Sequence, residues 1–283
     1  MSSPPCVSMQ VQTLINGEFS DCIGVADRGL AYGHGVFETF LVLNGTPVFY
    51  TEHLQRLLTG CKRLGIPVDQ LPQRLEHDLM QLDYPAGRAV LKLIVTCGSG
   101  GRGYLTPNPA SPVRILMLSP LPEYPGQPEQ GIRARWCQTR LACQPLLSGI
   151  KHLNRLEQVL ARNEWQDPAI REGLVCDSRG FVVEGTMSNL CFIAGGRFCT
   201  PALDQSGVEG IVRNQLLQLA ALQGLEVEAG RYTPDDVHSA DELFVCNSLI
   251  GIWPIVQLGD RSYEWGTYTR RLQSALNQRM VQC

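Results

Sequence analysis

The apolar positions of this chain follow two rhythms. Ala89 to Thr96 (AVLKLIVT), Val113 to Leu118, Phe181 to Glu184, Asn189 to Ile193 and Glu242 to Cys246 are short runs of strand-forming residues and read as β-strands. Three other segments keep a helical period. His53 to Leu64 sets Leu54, Leu57, Leu58, Cys61 and Leu64 on one face, with Thr51 as N-cap. Leu153 to Trp165 places Leu153, Leu156, Val159 and Leu160 on a stripe, and Val212 to Gln223 is closed by Gly224, the residue type that most readily ends a helix. Strands outnumber helices without alternating regularly with them, which predicts an α+β fold rather than a doubly wound sheet. The run Pro120 to Gly131 (PLPEYPGQPEQG) is too rich in proline and glycine for regular structure and reads as a linker. The expected layout is a smaller N-terminal domain over 1–121, a linker over 122–131 and a larger C-terminal domain over 132–283.

Composition narrows the class of protein. The 283 residues are 44% apolar and 18% charged, with 24 basic against 27 acidic side chains and a net charge of −3. Such a chain carries ample core material and is far from the composition of disordered segments. The absence of a basic run argues against nucleic acid and against an anionic membrane surface as partners. The 11 cysteines are odd in number and scattered, as at Leu-Val-Cys176 and Phe-Val-Cys246, with no CxxC pair and no histidine at ligand spacing. This pattern gives little support to a metal site and predicts reduced, buried thiols in a cytoplasmic protein. The N-terminal MSSPPCVSMQVQ has neither the basic nor the apolar region of an export signal, and the apolar run from Leu243 to Leu258 is broken by Asn247, Ser248, Gly251 and Pro254.

Several residues bear on chemistry. Gly98, Gly100 and Gly103 match the spacing GxGxxG, but Pro107, Pro109 and Pro112 follow, and the helix that would hold a dinucleotide pyrophosphate cannot form across them. What remains is a loop carrying Arg102 and Tyr104, either a surface turn or an anion-binding substrate loop. Gly207-Val-Glu-Gly210 runs directly into a predicted helix, so the segment is either an ordinary glycine-containing loop before a helix or one whose Ile211 and Val212 N–H groups hold a phosphate at the positive end of the helix. Lys151 stands just before a helix with Leu146, Leu147 and Ile150 upstream. A lysine withdrawn from water becomes a neutral nucleophile, whereas a solvated one is a surface charge. Glu184 ends the strand FVVE, where burial of a carboxylate calls for a cationic partner, either a pyridinium nitrogen or an arginine. Asp27 and Arg28 pair with each other or cap the turn before Gly29.

In this order the segments resemble the fold-type IV pyridoxal-phosphate enzymes, which include branched-chain and D-amino-acid aminotransferases and aminodeoxychorismate lyases. The resemblance runs through Ile15-Asn16-Gly17, DRGLAYGHGVFET (Asp27 to Thr39), HLQRL (His53 to Leu57), GSGGRGY, GIKHLNRLEQVLAR, EGTMSNLCF, TPALDQSGVEGIVR and ADELFVCNSLIGIWPI. Cys191 departs from it, standing where the aminotransferases carry an aromatic residue.

The resemblance implies a two-domain architecture like that of the D-amino-acid aminotransferases, a homodimer, and pyridoxal 5′-phosphate as cofactor. Residue by residue, it makes Lys151 the lysine joined to the cofactor aldehyde and sets Glu184 against the pyridine nitrogen. Arg56, the backbone of Ile211 and Val212, and the hydroxyl of Ser248 would hold the phosphate. Helical period alone puts Arg56 opposite the apolar stripe, in solvent.

The string KHLNRLEQ, with Leu156 where transaminases carry tyrosine, is similar to the lyases. So are Thr39 where branched-chain transaminases have glycine, Asn247 where they have a small residue, and GGRGY. The implied reaction is elimination of pyruvate from 4-amino-4-deoxychorismate to give 4-aminobenzoate, a step of folate biosynthesis. Lys151 would move the ring proton, and Thr39 would either relay a proton to the leaving group or serve as an ordinary strand residue. Arg102, Tyr104 and Asn247 would face the substrate. The alternative within the same fold is a D-amino-acid or branched-chain aminotransferase.

Overall fold

The computed structural model describes residues 9–283; the N-terminal MSSPPCVS, with Cys6, lies outside the described residues. The chain divides into two compact units, one running to Glu123 and including Cys283, the other spanning Tyr124–Gln282. Both mix sheet and helix, as the α+β expectation requires.

In the first unit the elements are β1 (Gln12–Ile15), β2 (Glu18–Phe19), α1 (Arg28–Tyr32), β3 (Gly35–Leu43), β4 (Thr46–Pro47), α2 (Tyr50–Arg63), α3 (Leu71–Leu79), β5 (Arg88–Thr96) and β6 (Val113–Pro120). The strands form one antiparallel sheet in the order β2-β1-β6-β5-β3-β4. Side chains alternate across a strand, so Val36, Phe40 and Val42 of β3 share one face and join Leu57 and Cys61 of α2 and Leu71 and Leu75 of α3 in the core. The same alternation carries Glu38 to that buried face and Thr39 to the other.

The helix expected from His53 starts earlier, and Thr51 is not its cap. Phe49 occupies the N-cap position at φ 54° with no side-chain cap bond. Its buried ring turns the chain from β4 into the helix, so the helix has begun before Thr51 can cap it. The apolar face read from the sequence is the packed one: Leu57 and Cys61 are buried, and Leu54, Leu58 and Leu64 pack against the cluster.

The second unit contains β7 (Ile132–Leu141), α4 (Leu156–Arg162), β8 (Ile170–Asp177), β9 (Val182–Gly185), β10 (Asn189–Ala194), β11 (Arg197–Pro201), α5 (Ile211–Leu222), β12 (Val227–Gly230), α6 (Pro234–His238), β13 (Glu242–Asn247), β14 (Gly251–Leu258), β15 (Arg261–Ser262) and α7 (Thr267–Val281). Its mixed sheet runs β12-β11-β10-β13-β14-β7-β8-β9, with β15 on β14. Pairs β11/β12, β14/β7 and β7/β8 are parallel.

Helix α4 overturns one expectation. It spans only Leu156–Arg162, and the supposed stripe points outward, with Leu156 76%, Val159 51% and Leu160 61% exposed. On the inner side Ala161, with Trp165 just beyond the helix, packs with Cys137 and Val175. Helix α7 was not anticipated, although Leu272, Leu276 and Met280 recur every fourth residue and are buried. No helix among the described residues is long and apolar enough to cross a membrane.

Candidate active site

The second unit gathers Lys151, Glu184 and the start of α5 around one loop. After β7 the chain reaches Gly149, whose N–H donates to Gly207 O at 3.0 Å and whose carbonyl accepts from Glu209 N–H at 3.0 Å. Lys151, half-buried, stands two residues beyond that double tie. Between its two ends, Val208 donates its N–H to Oε2 of Glu184 at 2.9 Å. Only glycine fits at 207: φ is +84°, and a Cβ there would lie 2.7 Å from Val183 Cγ1 and 3.2 Å from Glu184 Oε2. A chain of backbone bonds therefore brings the lysine arm beside the carboxylate.

The helix that follows has Gly210 at its N-cap and no side-chain cap bond. Asn189 explains the glycine, since its Oδ1 lies 1.8 Å from where a Cβ at 210 would sit, and its Nδ2 donates to Val208 O at 2.8 Å. The first turn of α5, with Ile211 and Val212, thus begins after a glycine that brings no capping side chain of its own.

Glu184 is buried, and burial pushes its carboxyl above the usual range, against the opposing effects of the Val208 N–H, Arg155, Lys151 and Gln158. The carboxylate is therefore under-compensated and suited to a further N–H⁺ donor. Two polar atoms close by in sequence are buried without a hydrogen-bond partner: His152 Nδ1 and Gln158 Oε1. Burial, then the charge of Arg155, depresses His152 to about 4, so its imidazole is neutral at physiological pH. A pyridinium ring with a phosphate tail fits this donor set: an under-compensated carboxylate, a lysine and an open helix N-terminus. Sequence reasoning missed His152 and Gln158; their positions, one and seven residues after Lys151, were the available signal.

Asn247 and Ser248 lie at the end of β13. The Asn247 carbonyl accepts N–H from Leu249 and Ile250 at 2.9 and 3.0 Å, and its amide donates to Met187 O at 3.0 Å. Its side chain thus binds the half-buried Ser248 turn to the loop that follows Glu184.

In the first unit Arg56 is not the solvated residue that helical period implied. Its side chain is 12% exposed and forks onto the wholly buried Glu38, Nε to Oε1 at 2.8 Å and Nη2 to Oε2 at 2.5 Å. His53 Nδ1 lies 2.6 Å from Oε2. Burial alone would push Glu38 up, but the charge and hydrogen bonds of Arg56, with those of His53, hold its carboxyl at about 2. Thr39, half-buried and opposite Lys92 of β5, faces away from that ion pair.

Arg102 and Tyr104 occupy an exposed, non-helical loop. It is held from beneath by Arg28, which donates to Gly103 O at 3.0 Å and Tyr104 O at 2.9 Å. The Tyr104 ring meets Tyr32 edge-on at 5.5 Å, and Tyr32 in turn lies under the Arg28 guanidinium at 4.9 Å. Asp27 caps α1, accepting from Gly29 and Leu30, and does not pair with Arg28. Burial of Arg28 was not legible from its sequence neighbours.

Residues 35–258 match the family Amino-transferase class IV. The aminodeoxychorismate lyase of Vibrio harveyi is 32% identical over 93% of this chain and 98% of its own length. A putative branched-chain-amino-acid aminotransferase of Methanocaldococcus jannaschii is 32% identical over 92% of this chain and 93% of its own. The crystal structure of 4-amino-4-deoxychorismate lyase from Pseudomonas aeruginosa superposes with a TM-score of 0.88 at 46% identity, covering 94% of this chain and 98% of that one. The loop that joins Lys151 to Glu184 and the match along most of the sequence lead to one conclusion: this chain belongs to the class IV aminotransferase family.

Proposed function

We propose that this chain is a pyridoxal 5′-phosphate-dependent lyase that eliminates pyruvate from 4-amino-4-deoxychorismate and releases 4-aminobenzoate, a step of folate biosynthesis. The observation that carries the reading is the buried Glu184 carboxylate, tied through Val208 and Gly149 to the arm bearing Lys151. The similarity to the Pseudomonas lyase supports the reaction class. When bound, the cofactor supplies a protonated pyridine system that withdraws electrons from the carbon carrying the substrate amine.

The protein's residues do the rest. Lys151 would hold the cofactor through its aldehyde carbon, and its Nζ, when not so engaged, would accept the substrate's ring C4 proton. Glu184 holds a proton at the pyridine nitrogen, because an ionised carboxylate there favours the charged ring. The amides of Ile211 and Val212, the hydroxyl of Ser248 and the guanidinium of Arg56 would hold the phosphate, with Glu38 orienting Arg56. Breaking the C3–O bond expels enolpyruvate, to which the Thr39 hydroxyl relays a proton so that pyruvate departs. Arg102 and Tyr104 meet the substrate carboxylates, and Asn247 adds a hydrogen bond to the substrate.

The enzyme acts as a homodimer in the cytoplasm. The outward apolar face of α4 supports a second copy as its cover, and the ten free thiols of the described residues support a reducing compartment. Incubation with 4-amino-4-deoxychorismate, reading pyruvate, tests the reaction: the chain releases pyruvate and Lys151→Ala does not. Amino transfer between amino and keto acids without pyruvate release would establish the transaminase reading instead, which the similarity to the Methanocaldococcus protein keeps in view.

A further inference from the structure

We propose that Glu172 is a positioning residue that fixes the turn linking Glu184 to the Ser248 segment, and so sets the place of both ends of the cofactor. Glu172 lies on β8, 0% exposed, and accepts four hydrogen bonds. Its Oε1 receives the N–H of Gly173 at 2.9 Å, the N–H of Thr186 at 2.9 Å and the Thr186 hydroxyl at 2.6 Å. Its Oε2 receives the Ser188 hydroxyl at 2.6 Å. All four are neutral donors. A buried carboxylate with such partners is a costly way to fill space, and here every bond but one ends on the turn 185–188.

That turn is seated directly on the carboxylate. A Cβ at Gly185 would lie 2.5 Å from Ser188 Oγ and 2.8 Å from both Cδ and Oε2 of Glu172. Gly185 N–H donates to Ser188 O at 2.7 Å and Thr186 N–H reaches Gly173 O at 3.0 Å, closing the turn against β8. On its near side is Glu184, the residue before Gly185, in register with Val175 of the same β8. On its far side Met187 O accepts from Asn247 Nδ2 at 3.0 Å, and Asn247 shapes the turn that begins at Ser248. One carboxylate thereby fixes the common support of the group assigned to the ring nitrogen and the group assigned to the phosphate. The inference rests on those two assignments.

The test compares Glu172→Gln with Glu172→Met. Gln keeps the Oε1 acceptor, and its amide can donate to Ser188 Oγ, since a hydroxyl accepts as readily as it donates. Met removes every acceptor and leaves the Thr186 and Ser188 donors buried without partners. For each variant, cofactor dissociation and the pH titration of the bound cofactor's visible absorption are measured below its melting temperature. Glu172→Gln stays near wild type. Glu172→Met weakens cofactor binding by about tenfold or more and shifts the titration, because the turn next to Glu184 is no longer held in place.

If Glu172→Met does not fold, the double variant Thr186→Val, Ser188→Ala removes two of the donors while keeping the carboxylate, and the same two shifts are expected. Unchanged cofactor affinity and titration, with only the melting temperature lowered, would overturn the proposal. Failure of the underlying reading looks different: the wild-type chain would then show no visible band that Lys151→Ala abolishes. In that case both fall together; a Lys151-dependent band left untouched in the Glu172 variants sinks the positioning role alone.

Discussion

The backbone N–H of Val208 meets Oε2 of Glu184 at 2.9 Å, and the residues on either side of Val208 each bond Gly149, two positions before Lys151. Apart from the Glu184 carboxylate, the link is made by backbone, so along 207–209 it depends on conformation more than on side-chain identity. Gly207 is its weak point.

Gly207→Ala is expected to break that link. A non-glycine residue at φ +84° costs about 1–2 kcal/mol, and the new methyl also meets Val183 and Leu203. Relief by shifting the loop takes the Val208 N–H off Glu184. Thermal denaturation should show lowered stability, and cofactor titration should show weaker binding; unchanged cofactor affinity would refute the role given to the loop.

Glu38 predicts a pH window. Its carboxyl titrates at about 2 in the folded chain against about 4.5 unfolded, so the folded state holds the proton less tightly. Its contribution, on the order of 3 kcal/mol, is fully present above the unfolded value and is lost as pH falls towards 2. Glu38→Gln leaves Arg56 short of its counter-charge. The stability gap between wild type and variant, measured by denaturant unfolding, should be large at pH 7 and close progressively below pH 4.5. A gap independent of pH over that range would contradict the ion-pair account.

Arg28→Lys keeps the charge but loses the fork that binds two carbonyls. With Gly103 O and Tyr104 O no longer held together, the loop bearing Arg102 and Tyr104 loosens. The expected result is a rise in KM of about tenfold with a smaller change in kcat, since the reacting groups are elsewhere. An equal fall in kcat at unchanged KM would place Arg28 in another role.

Leu156→Glu with Leu160→Glu puts two charges on the outward face of α4, where both leucines are more than half exposed. Because neither packs into its own unit, folding and melting of the monomer should change little. Sedimentation should report a shift from dimer to monomer at micromolar concentration. A dimer that survives both charges is built on a different surface.

Part of the candidate site was legible in sequence, some of it in local turn residues and the rest only in the order of motifs along the chain. Gly207 and Gly210 before an apolar helix predict a helix start near Val212, and α5 begins at Ile211 with Gly210 as its N-cap. Lys151, Glu184 and Ser248 were found through motifs strung along the chain, which preserve order but not distance. Strands such as β5, β6, β10 and β13 were evident because apolar runs of strand length leave few alternatives. Helix α4 shows the limit of pattern reading: its leucines are periodic, yet the side that packs within its unit is set by Ala161 and Trp165 and by where the chain leaves β7.

What the sequence alone determined is the α+β class, strands such as β5, β6, β10 and β13, the helices α2 and α5, and a set of candidate groups for cofactor chemistry, because propensity, period and turn residues act over a few positions. Tertiary structure alone decided which polar groups are buried together. Arg56 on Glu38, Thr186 and Ser188 on Glu172, and Arg28 under the 102–104 loop all join residues well apart along the chain. Burial makes these pairings matter, since a desolvated charge must find its partners wherever the fold delivers them, and no short-range pattern records that meeting.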